Sequence, residues 1–398
     1  MKSIKLASGF AVSALALAIA GQATAQTQTS MSATGEIKFQ TIWDIENSQY
    51  YHSFDERMPV EVEDDDEVVE EVVPVDGPIF NVTINVKNGP FSGDVILGED
   101  EGKVAIQVDN LQVNEGPISF GDIGGVTDSA GLYEGLVEET ALGDEDEDTR
   151  FGVNYGFRYT ESSLGLSVQA ESEFDSDLDS VPPSAGPQFF GLAAAIHQDL
   201  DVAEFWLDGQ YRLATATDGM ENEATYNVGV ALKATPVDQV TLTGVYRIVD
   251  DNDDNDRSVY AVKLDVQATD EVSLYALILD KDVSESDSII VRGGLTASVA
   301  PFVVEAGYEA NLATPSAGLI FTSATWTDGP LSASVGLDYN LAEFSDTDVE
   351  AGFKVTAGGK YTTVSGIVYG AEYTYADENF WDEDDVVSQV ELFASYSF

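Results

Sequence analysis

Few residues of this chain carry reactive side chains at the spacings that a catalytic or metal site needs. The sequence has two histidines, His52 and His197, and no cysteine, which excludes disulfides, thiolate metal sites and cysteine nucleophiles. It contains no zinc-protease helix motif, nucleophile-elbow serine, phosphate-binding loop or dinucleotide fingerprint. His52 lies close to Asp55, so a hydrolytic site built on this pair is one alternative. The residue types otherwise favour a protein that is not an enzyme.

Carboxylates are the dominant chemical groups. The 398 residues include 72 acids and 17 bases, for a formal net charge of −55. Such acidity disfavours a nucleic-acid partner, because phosphate binding needs clustered lysine and arginine. The chain is also 43% hydrophobic and 10% aromatic, whereas disordered acidic segments are poor in both classes. We therefore expect a folded protein with solvated acidic loops.

One acidic run, residues 250–256, begins like a calcium-binding loop. An EF-hand requires glycine at the sixth position and glutamate at the twelfth, and Asn255 and Ala261 occupy those positions here. We expect no structured metal site and no cofactor. Loose binding of divalent cations to the acidic loops, or adaptation to a saline habitat, remains open.

The N-terminus has the pattern of a secretory signal. Lys2 and Lys5 precede an apolar core from Leu6 to Ala20, and Ala23-Thr24-Ala25 offers a small-residue cleavage site. The core is shorter than the ~20 apolar residues that a transmembrane helix needs. The sequence predicts a signal peptide over residues 1–25 and an exported domain over residues 26–398.

Segments of about ten residues with alternating polarity fill the rest of the chain. Leu242, Tyr246 and Ile248 share one face of such a segment, whereas Glu271–Asp280 and Ala317–Thr327 alternate ambiguously. Links alternate between short turns and long acidic stretches at residues 46–78, 123–149, 175–186, 249–256 and 376–385. The pattern predicts an all-β fold, a transmembrane antiparallel β-barrel of roughly 16 to 20 strands with short periplasmic turns and long extracellular loops. A soluble sandwich or propeller is the alternative.

Charged residues of these segments fall on the face opposite the apolar residues. A soluble barrel fills its interior with apolar side chains, so this inversion indicates lipid outside and water inside. Any amphipathic strand separates charged from apolar residues, so the inference also needs the export signal and the C-terminal strand. The predicted pore-lining bases are Lys38, Lys87, Lys103, Arg150, Arg158, Arg212, Arg247 and Arg292.

The C-terminal segment from Val390 alternates in polarity and ends in an aromatic residue, with Phe393 as an exception. It resembles the last strand of bacterial outer-membrane barrels, whose final residue is typically phenylalanine. The resemblance implies that Tyr396 and Phe398 belong to a signal read by the barrel-assembly machinery, in a protein of the Gram-negative outer membrane.

The glycine-rich link at residues 123–149 resembles the third loop of the general diffusion porins, which folds into the barrel and carries acids opposite an arginine ladder. The resemblance implies a water-filled homotrimeric channel. The constriction acids would be Asp128, Glu134, Glu138 and Glu139, facing Lys38, Lys87, Lys103 and Arg158. The sequence departs from the family at Asp122, where many members have a base, and it lacks the Pro-Glu-Phe-Gly-Gly-Asp stretch. A solvated surface loop is the alternative for the same acids.

Together these features predict a porin for passive diffusion of small hydrophilic solutes and ions, with a modest cation preference from its acidic mouth. Expected partners are outer-membrane lipid and lipopolysaccharide. Two alternatives remain: a plugged or narrow barrel acting as a surface binding or structural protein or as a substrate-specific channel, and a hydrolase resembling the omptins, using His52 with Asp55.

Overall fold

Strands make up most of the computed structural model, as the alternating segments predict. It describes residues 29–45, 49–52, 58–64, 67–73, 79–100, 103–140, 155–174, 187–214, 224–250, 257–283, 289–312, 318–341, 351–377, 380 and 386–397. The predicted signal peptide, Asp55, Arg150, Phe398 and most of the predicted long acidic links lie outside these residues.

The described residues form 23 strands and one helix. The helix, α1, covers Asp128–Val137. The strands are β1 Thr29–Asp44, β2 Gln49–His52, β3 Met58–Asp64, β4 Glu67–Val73, β5 Ile79–Asn88, β6 Phe91–Asp100, β7 Lys103–Glu115, β8 Ile118–Gly121, β9 Tyr155–Glu161, β10 Leu166–Phe174, β11 Pro187–Leu200, β12 Ala203–Ala214, β13 Ala224–Val237, β14 Val240–Asp250, β15 Arg257–Gln267, β16 Val272–Asp280, β17 Ile289–Val299, β18 Phe302–Asn311, β19 Gly318–Asp328, β20 Leu331–Asn340, β21 Gly352–Thr362, β22 Ile367–Ala376 and β23 Val387–Ser397.

The chain divides by its internal contacts into two compact units. The first unit comprises Met1–Leu111, Thr325–Leu337 and Phe353–Phe398, and the second comprises Gln112–Ala324 and Asp338–Gly352. Neighbouring strands in both units pair antiparallel, as the predicted fold class requires.

In the first unit, β1 has neighbours along both of its edges. Residues Glu36–Asp44 pair with β23, from Glu36 opposite Ser397 to Asp44 opposite Gln389. Residues Thr29–Lys38 pair with β5, and Thr41–Asp44 pair with β2. A pairing between early and late strands is what a β-barrel requires, and the predicted fold class is confirmed at the level of strand content, order and pairing.

The strand count lies at the upper end of the expected range. Twenty-one strands are assigned to one antiparallel sheet, and β3 and β4 form a separate pair. Because β2 and β5 share one edge of β1, the 21 strands occupy 21 − 1 = 20 positions. The stretch predicted as a long link over residues 46–78 contains strands β2, β3 and β4. The acidic composition of this stretch does not reveal them.

In the second unit, consecutive strands from β8 to β18 pair in chain order. The links after β9, β11, β13, β15 and β17 have two to four residues, whereas those after β10, β12, β14 and β16 have six to twelve. This alternation agrees with the predicted short turns and long loops. Strands β10 to β18 have nine to fourteen residues, enough for a tilted transmembrane strand of about nine to eleven residues.

The two faces of these strands have opposite polarity. In β13, Val228 is 45% exposed, whereas its neighbour Asn227 is fully buried. The same contrast holds along other strands of the unit, where large apolar side chains are exposed and polar ones are buried. The buried polar residues of these strands are Gln169, Glu171, Asp208, Gln210, Arg212, Asn227, Thr243, Arg247, Asp280 and Glu309. Lipid against the apolar face would account for this arrangement.

Among the described residues, no helix combines the length and hydrophobicity needed to cross a membrane.

A charge on the apolar face tests whether that face contacts lipid. We expect Val230→Lys, at the middle of β13, to lower the free energy of unfolding in lipid vesicles by about 2–4 kcal/mol. Val237→Lys, at the end of the same strand, should cost only about 0–1 kcal/mol, because the side chain reaches the interface. Urea titration in vesicles measures both, and equal costs at the two positions would contradict a lipid-facing surface.

Candidate functional site

The segment between β8 and residue 140 packs on the polar face of the second unit. Arg158 of β9 holds it there by hydrogen bonds. The Arg158 guanidinium donates to the carbonyl oxygens of Ile123, Gly124 and Gly125 at 2.9, 2.8 and 3.0 Å. It also donates to Gln169 Oε1 at 2.8 Å, and Gln169 Nε2 donates to the Gly124 carbonyl at 2.9 Å. Arg158 therefore binds the loop backbone.

Glycine residues allow the loop to follow this path. Gly124 has a φ of +63°, a conformation that side chains other than glycine rarely adopt. Gly156 of β9 lies beneath the loop, and a Cβ there would come within 3.1 Å of the Ile123 side chain. The glycine at this position lets the loop lie close to the sheet.

Helix α1 follows, and its first turn meets a buried ion pair. The Ser129 amide donates to Asp208 Oδ2 at 2.8 Å, and Arg247 Nη1 donates to Asp208 Oδ1 at 2.9 Å. Arg247 also donates to the Ser129 hydroxyl and to Asn227 Oδ1, the latter at 3.0 Å. The side chains of Arg247 and Asp208 are 0% and 1% exposed, so the protein itself must satisfy them.

A second buried group extends this network towards β10. Arg212 Nε lies 3.4 Å from Glu171 Oε1, and Gln169 Nε2 donates to Glu171 Oε2 at 3.1 Å. Gln210 donates to Glu171 as well and accepts from Asn227 Nδ2 at 3.0 Å. The two networks join at Gln210, so strands β10, β12, β13 and β14 carry one continuous polar layer.

The apolar side of α1 packs on the same face of the sheet. Tyr133, Leu136 and Val137 belong to a buried cluster, and the Tyr133 hydroxyl donates to the Asp280 carbonyl oxygen at 3.3 Å. The strand residues of the cluster are Trp206, Ala231, Val245, Val259, Ala261, Leu277, Leu279 and Ile290. This explains the ambiguous alternation predicted for Glu271–Asp280, because β16 buries Leu277 and Leu279 under α1 and exposes Leu274 and Ile278 on the other face.

Beyond the helix, Lys263, Glu139 and Arg292 are partly exposed, whereas Glu309 is fully buried. Lys263 Nζ lies 2.7 Å from Glu139 Oε2 and 3.5 Å from Asp265 Oδ1. Arg292 Nη1 lies 2.8 Å from Glu309 Oε2, and its guanidinium lies 4.2 Å from the centroid of the Phe321 ring. Both of these bases, Lys263 and Arg292, therefore have a carboxylate partner.

The predicted constriction acids all lie on α1 or just after it. Asp128 and Glu138 are exposed and Glu134 is half-buried, while Glu139 pairs with Lys263. Loss of hydration raises the pKa of Asp128, and the nearby negative charge of Asp208 adds to this shift. Asp128 therefore holds its proton more strongly than an ordinary aspartate does.

Four of the predicted pore-lining bases, Arg158, Arg212, Arg247 and Arg292, lie on the polar face of the second unit. The other predicted pore-lining bases that the structure describes, Lys38, Lys87 and Lys103, lie in the first unit. Lys87 is exposed near the end of β5, Lys38 lies in β1 and Lys103 begins β7. Their predicted position opposite the loop acids stays a prediction.

Sequence reasoning did not select Lys263, Glu171, Asp208 or Glu309 as site residues. Each of them has the inward parity of its strand, which was the available signal. The position of a residue on one or the other face of its strand does not indicate which strands lie beneath the loop. The placement of the loop determines which charged side chains are in contact. Among the described residues, no group of three or more histidine, aspartate or glutamate side chains could hold a metal ion.

Removing one partner of the buried ion pair should be costly. We expect Arg247→Gln to lower the free energy of unfolding by about 3–5 kcal/mol, because Asp208 is left as a buried charge without its cation. Lys263→Gln should cost about 0–1 kcal/mol, because its pair with Glu139 is partly exposed to solvent. Urea unfolding in detergent or vesicles gives both values, and equal losses would show that burial does not set the strength of these pairs.

No protein-family model matches the chain, and no curated protein matches its sequence. Similar solved structures include a loop L8 deletion mutant of OmpT, an outer membrane protein of Vibrio cholerae, with 13% identity over 93% of this chain and 99% of that chain and a TM-score of 0.36. A mutant of the Rhodobacter blastica porin has 12% identity over 93% and 100% of the two chains and a TM-score of 0.41. OccK5 (OpdH) of Pseudomonas aeruginosa has 8% identity over 93% and 98% and a TM-score of 0.47. At these TM-scores the likeness carries no argument about the fold or function of this chain.

Proposed function

We propose that this protein is an outer-membrane channel for passive diffusion of small hydrophilic solutes and ions. The observation that carries the proposal is the polarity of the strands in the second unit, where buried charges such as Arg247 share a face and leucine, valine and tyrosine side chains are exposed on the other. A water-soluble sheet would expose its charges and bury its apolar side chains. Lipid on one face and water on the other gives the observed order.

The charges beside α1 support a modest cation preference. Arg212, Arg247, Lys263 and Arg292 each lie next to a carboxylate, so the fields of these bases are largely cancelled. Arg158 binds three backbone carbonyl oxygens. The exposed acids Asp128 and Glu138 then add negative charge, which attracts cations into a narrow hydrated passage.

Planar-bilayer recording of the purified protein tests this function directly. The proposal expects steady single-channel conductance, and a reversal potential under a potassium chloride gradient that shows cation preference. Absence of conductance from a correctly folded protein would refute the channel, and anion preference would refute the selectivity.

Neutralising the exposed acids of α1 should weaken the selectivity. In the double variant Asp128→Asn/Glu138→Gln, we expect the reversal potential to move towards zero, because two negative charges are lost while the paired bases remain. Asp201→Asn, in the two-residue turn between β11 and β12, is the matched control and should leave selectivity unchanged. If the double variant has the same reversal potential as the control, Asp128 and Glu138 do not contribute to the selectivity.

Selectivity should also depend on pH through Asp128. Its pKa is raised, so as pH falls this carboxylate loses its charge before ordinary aspartates do, and the cation preference declines first by its contribution. Asp128→Asn should abolish the decline in cation preference that occurs at the higher pH and leave the decline at lower pH, which other carboxylates cause. Reversal potentials recorded between neutral pH and pH 4 would show the difference, and identical titrations would contradict it.

A narrow, substrate-specific or plugged barrel is the second candidate. The packing of Tyr133, Leu136 and Val137 against the sheet favours it, because an apolar contact of this kind occupies space on the wet face. A small or absent conductance together with uptake of one solute class in liposome-swelling assays would favour this alternative over general diffusion.

The remaining assignments complete the proposal. Residues 1–25 act as a signal peptide, residues 26–398 form the barrel domain, and the protein assembles as a homotrimer in the Gram-negative outer membrane. Tyr396, which is exposed at the end of β23, and Phe398 serve as the signal for the barrel-assembly machinery. Lipopolysaccharide and loosely bound divalent cations contact the acidic loops. The protein catalyses no reaction, and a hydrolytic activity that is lost on replacing both His52 and His197 would contradict this.

A further inference from the structure

Helix α1 begins without a cap from its own segment. Thr127, at the N-cap position, makes no side-chain hydrogen bond to the helix. The Ser129 amide donates instead to Asp208 of β12, 79 residues away in sequence. The first amides of a helix need acceptors, and a negative charge there interacts favourably with the helix dipole. Asp208 thus does for α1 what an N-cap residue normally does.

Arg247 holds this capping carboxylate in place. Its guanidinium binds the second oxygen of Asp208, the Ser129 hydroxyl and the Asn227 side chain. Because both charged side chains are buried, bulk salt screens their interaction weakly. The orientation of Asp208 is therefore supported from β13 and β14 as well as by the helix itself.

The helix has little stability of its own. It has ten residues and contains Gly131 and Gly135, whereas isolated helices shorter than about 12–15 residues are marginal in water and glycine weakens them further. Contact with the sheet must supply most of the free energy that keeps α1 helical.

Gly229 of β13 makes the close approach possible. A Cβ at this position would overlap both the Ser129 hydroxyl and the Arg247 guanidinium. The absence of a side chain at residue 229 thus leaves space for the helix start and the ion pair to meet.

We propose that Asp208 and Arg247 are positioning residues that cap α1 from the sheet and thereby decide where the loop acids lie. The pair acts through the helix and does not itself contact a permeating ion. This inference rests on the proposed function for its effect on selectivity, since α1 carries Asp128 and Glu138, but the docking of the helix can be measured without any channel activity.

Trp206 reports on docking because it is buried in the cluster that contains Tyr133, Leu136 and Val137. The experiment uses the full chain with Trp43, Trp326 and Trp381 replaced by phenylalanine, so that Trp206 is the one remaining tryptophan and is excited selectively over the tyrosines. Correct folding of each variant is checked by far-ultraviolet circular dichroism and by heat-dependent mobility on gels. Undocking of α1 should shift the Trp206 emission to the red and raise its quenching by acrylamide.

Asp208→Asn keeps an acceptor oxygen for the helix and removes the charge, whereas Asp208→Ala removes both. We expect exposure of Trp206 to rise in the order parent, Asp208→Asn, Asp208→Ala, with a roughly fivefold change in the ratio of docked to undocked helix for loss of a cap. Gly229→Ala should also undock the helix. The reversal potential of the channel should move in the same order.

Two matched controls separate docking from general damage. Glu309→Gln alters another ion pair, which joins β17 to β18, and Gly244→Ala adds a Cβ to the next strand where nothing lies within 4 Å. Both should leave Trp206 as in the parent.

Unchanged Trp206 emission and quenching in folded Asp208→Asn and Gly229→Ala would overturn the proposal, and these two variants decide it should Asp208→Ala fail to fold. A parent protein that does not conduct would refute the proposed channel, while the Trp206 measurements would still decide whether Asp208 and Arg247 dock the helix.

Discussion

Charged side chains buried on the polar face of the second unit need groups that replace their hydration, and this constraint organises the site. Removing a charged group from water is costly unless another group replaces its hydration. Glu171 and Asp208 therefore lie beside Arg212 and Arg247, with amide side chains between them. The loop takes part in the same scheme, because its carbonyl oxygens bind Arg158 and the Ser129 amide, in the first turn of α1, binds Asp208. The sheet and the loop thus satisfy each other's hydrogen bonds, and neither arrangement is complete without the other.

The strands could be predicted from the sequence wherever one face alone is apolar. Leu242, Tyr246 and Ile248 follow this rule in β14, and the structure places Leu242 and Tyr246 on its exposed face. Prediction was difficult where a residue on the polar face is covered by another part of the protein. Phe393 breaks the alternation of β23 because its ring lies against Gly370, with Lys360 Nζ 5.5 Å from the ring centroid. Such contacts depend on residues of neighbouring strands and leave no local periodic signal.

The site was less accessible to sequence reasoning than the fold. Parity indicated which charges share the wet face, including Arg158, Arg212, Arg247 and Arg292. It could not indicate that α1 is helical, since a ten-residue segment with two glycines has low intrinsic helix propensity. The helix depends on Tyr133 and Leu136 packing against the sheet, which is a tertiary effect. The groups that bind Arg158 and Arg247 include loop and helix atoms whose positions depend on the docking of α1. These partners could therefore not be predicted from the sequence.

The pairing of β1 with β23 has a consequence for how the molecule forms. Glu36 lies opposite Ser397, so this contact joins residues 397 − 36 = 361 positions apart in the chain. Contacts of such long range require the largest loss of chain entropy and form late. Until β23 reaches β1, one edge of β1 exposes unsatisfied backbone amides that can pair with any other strand. Slow folding of this kind makes the unpaired edge of β1 a site of aggregation for as long as β23 is not in place.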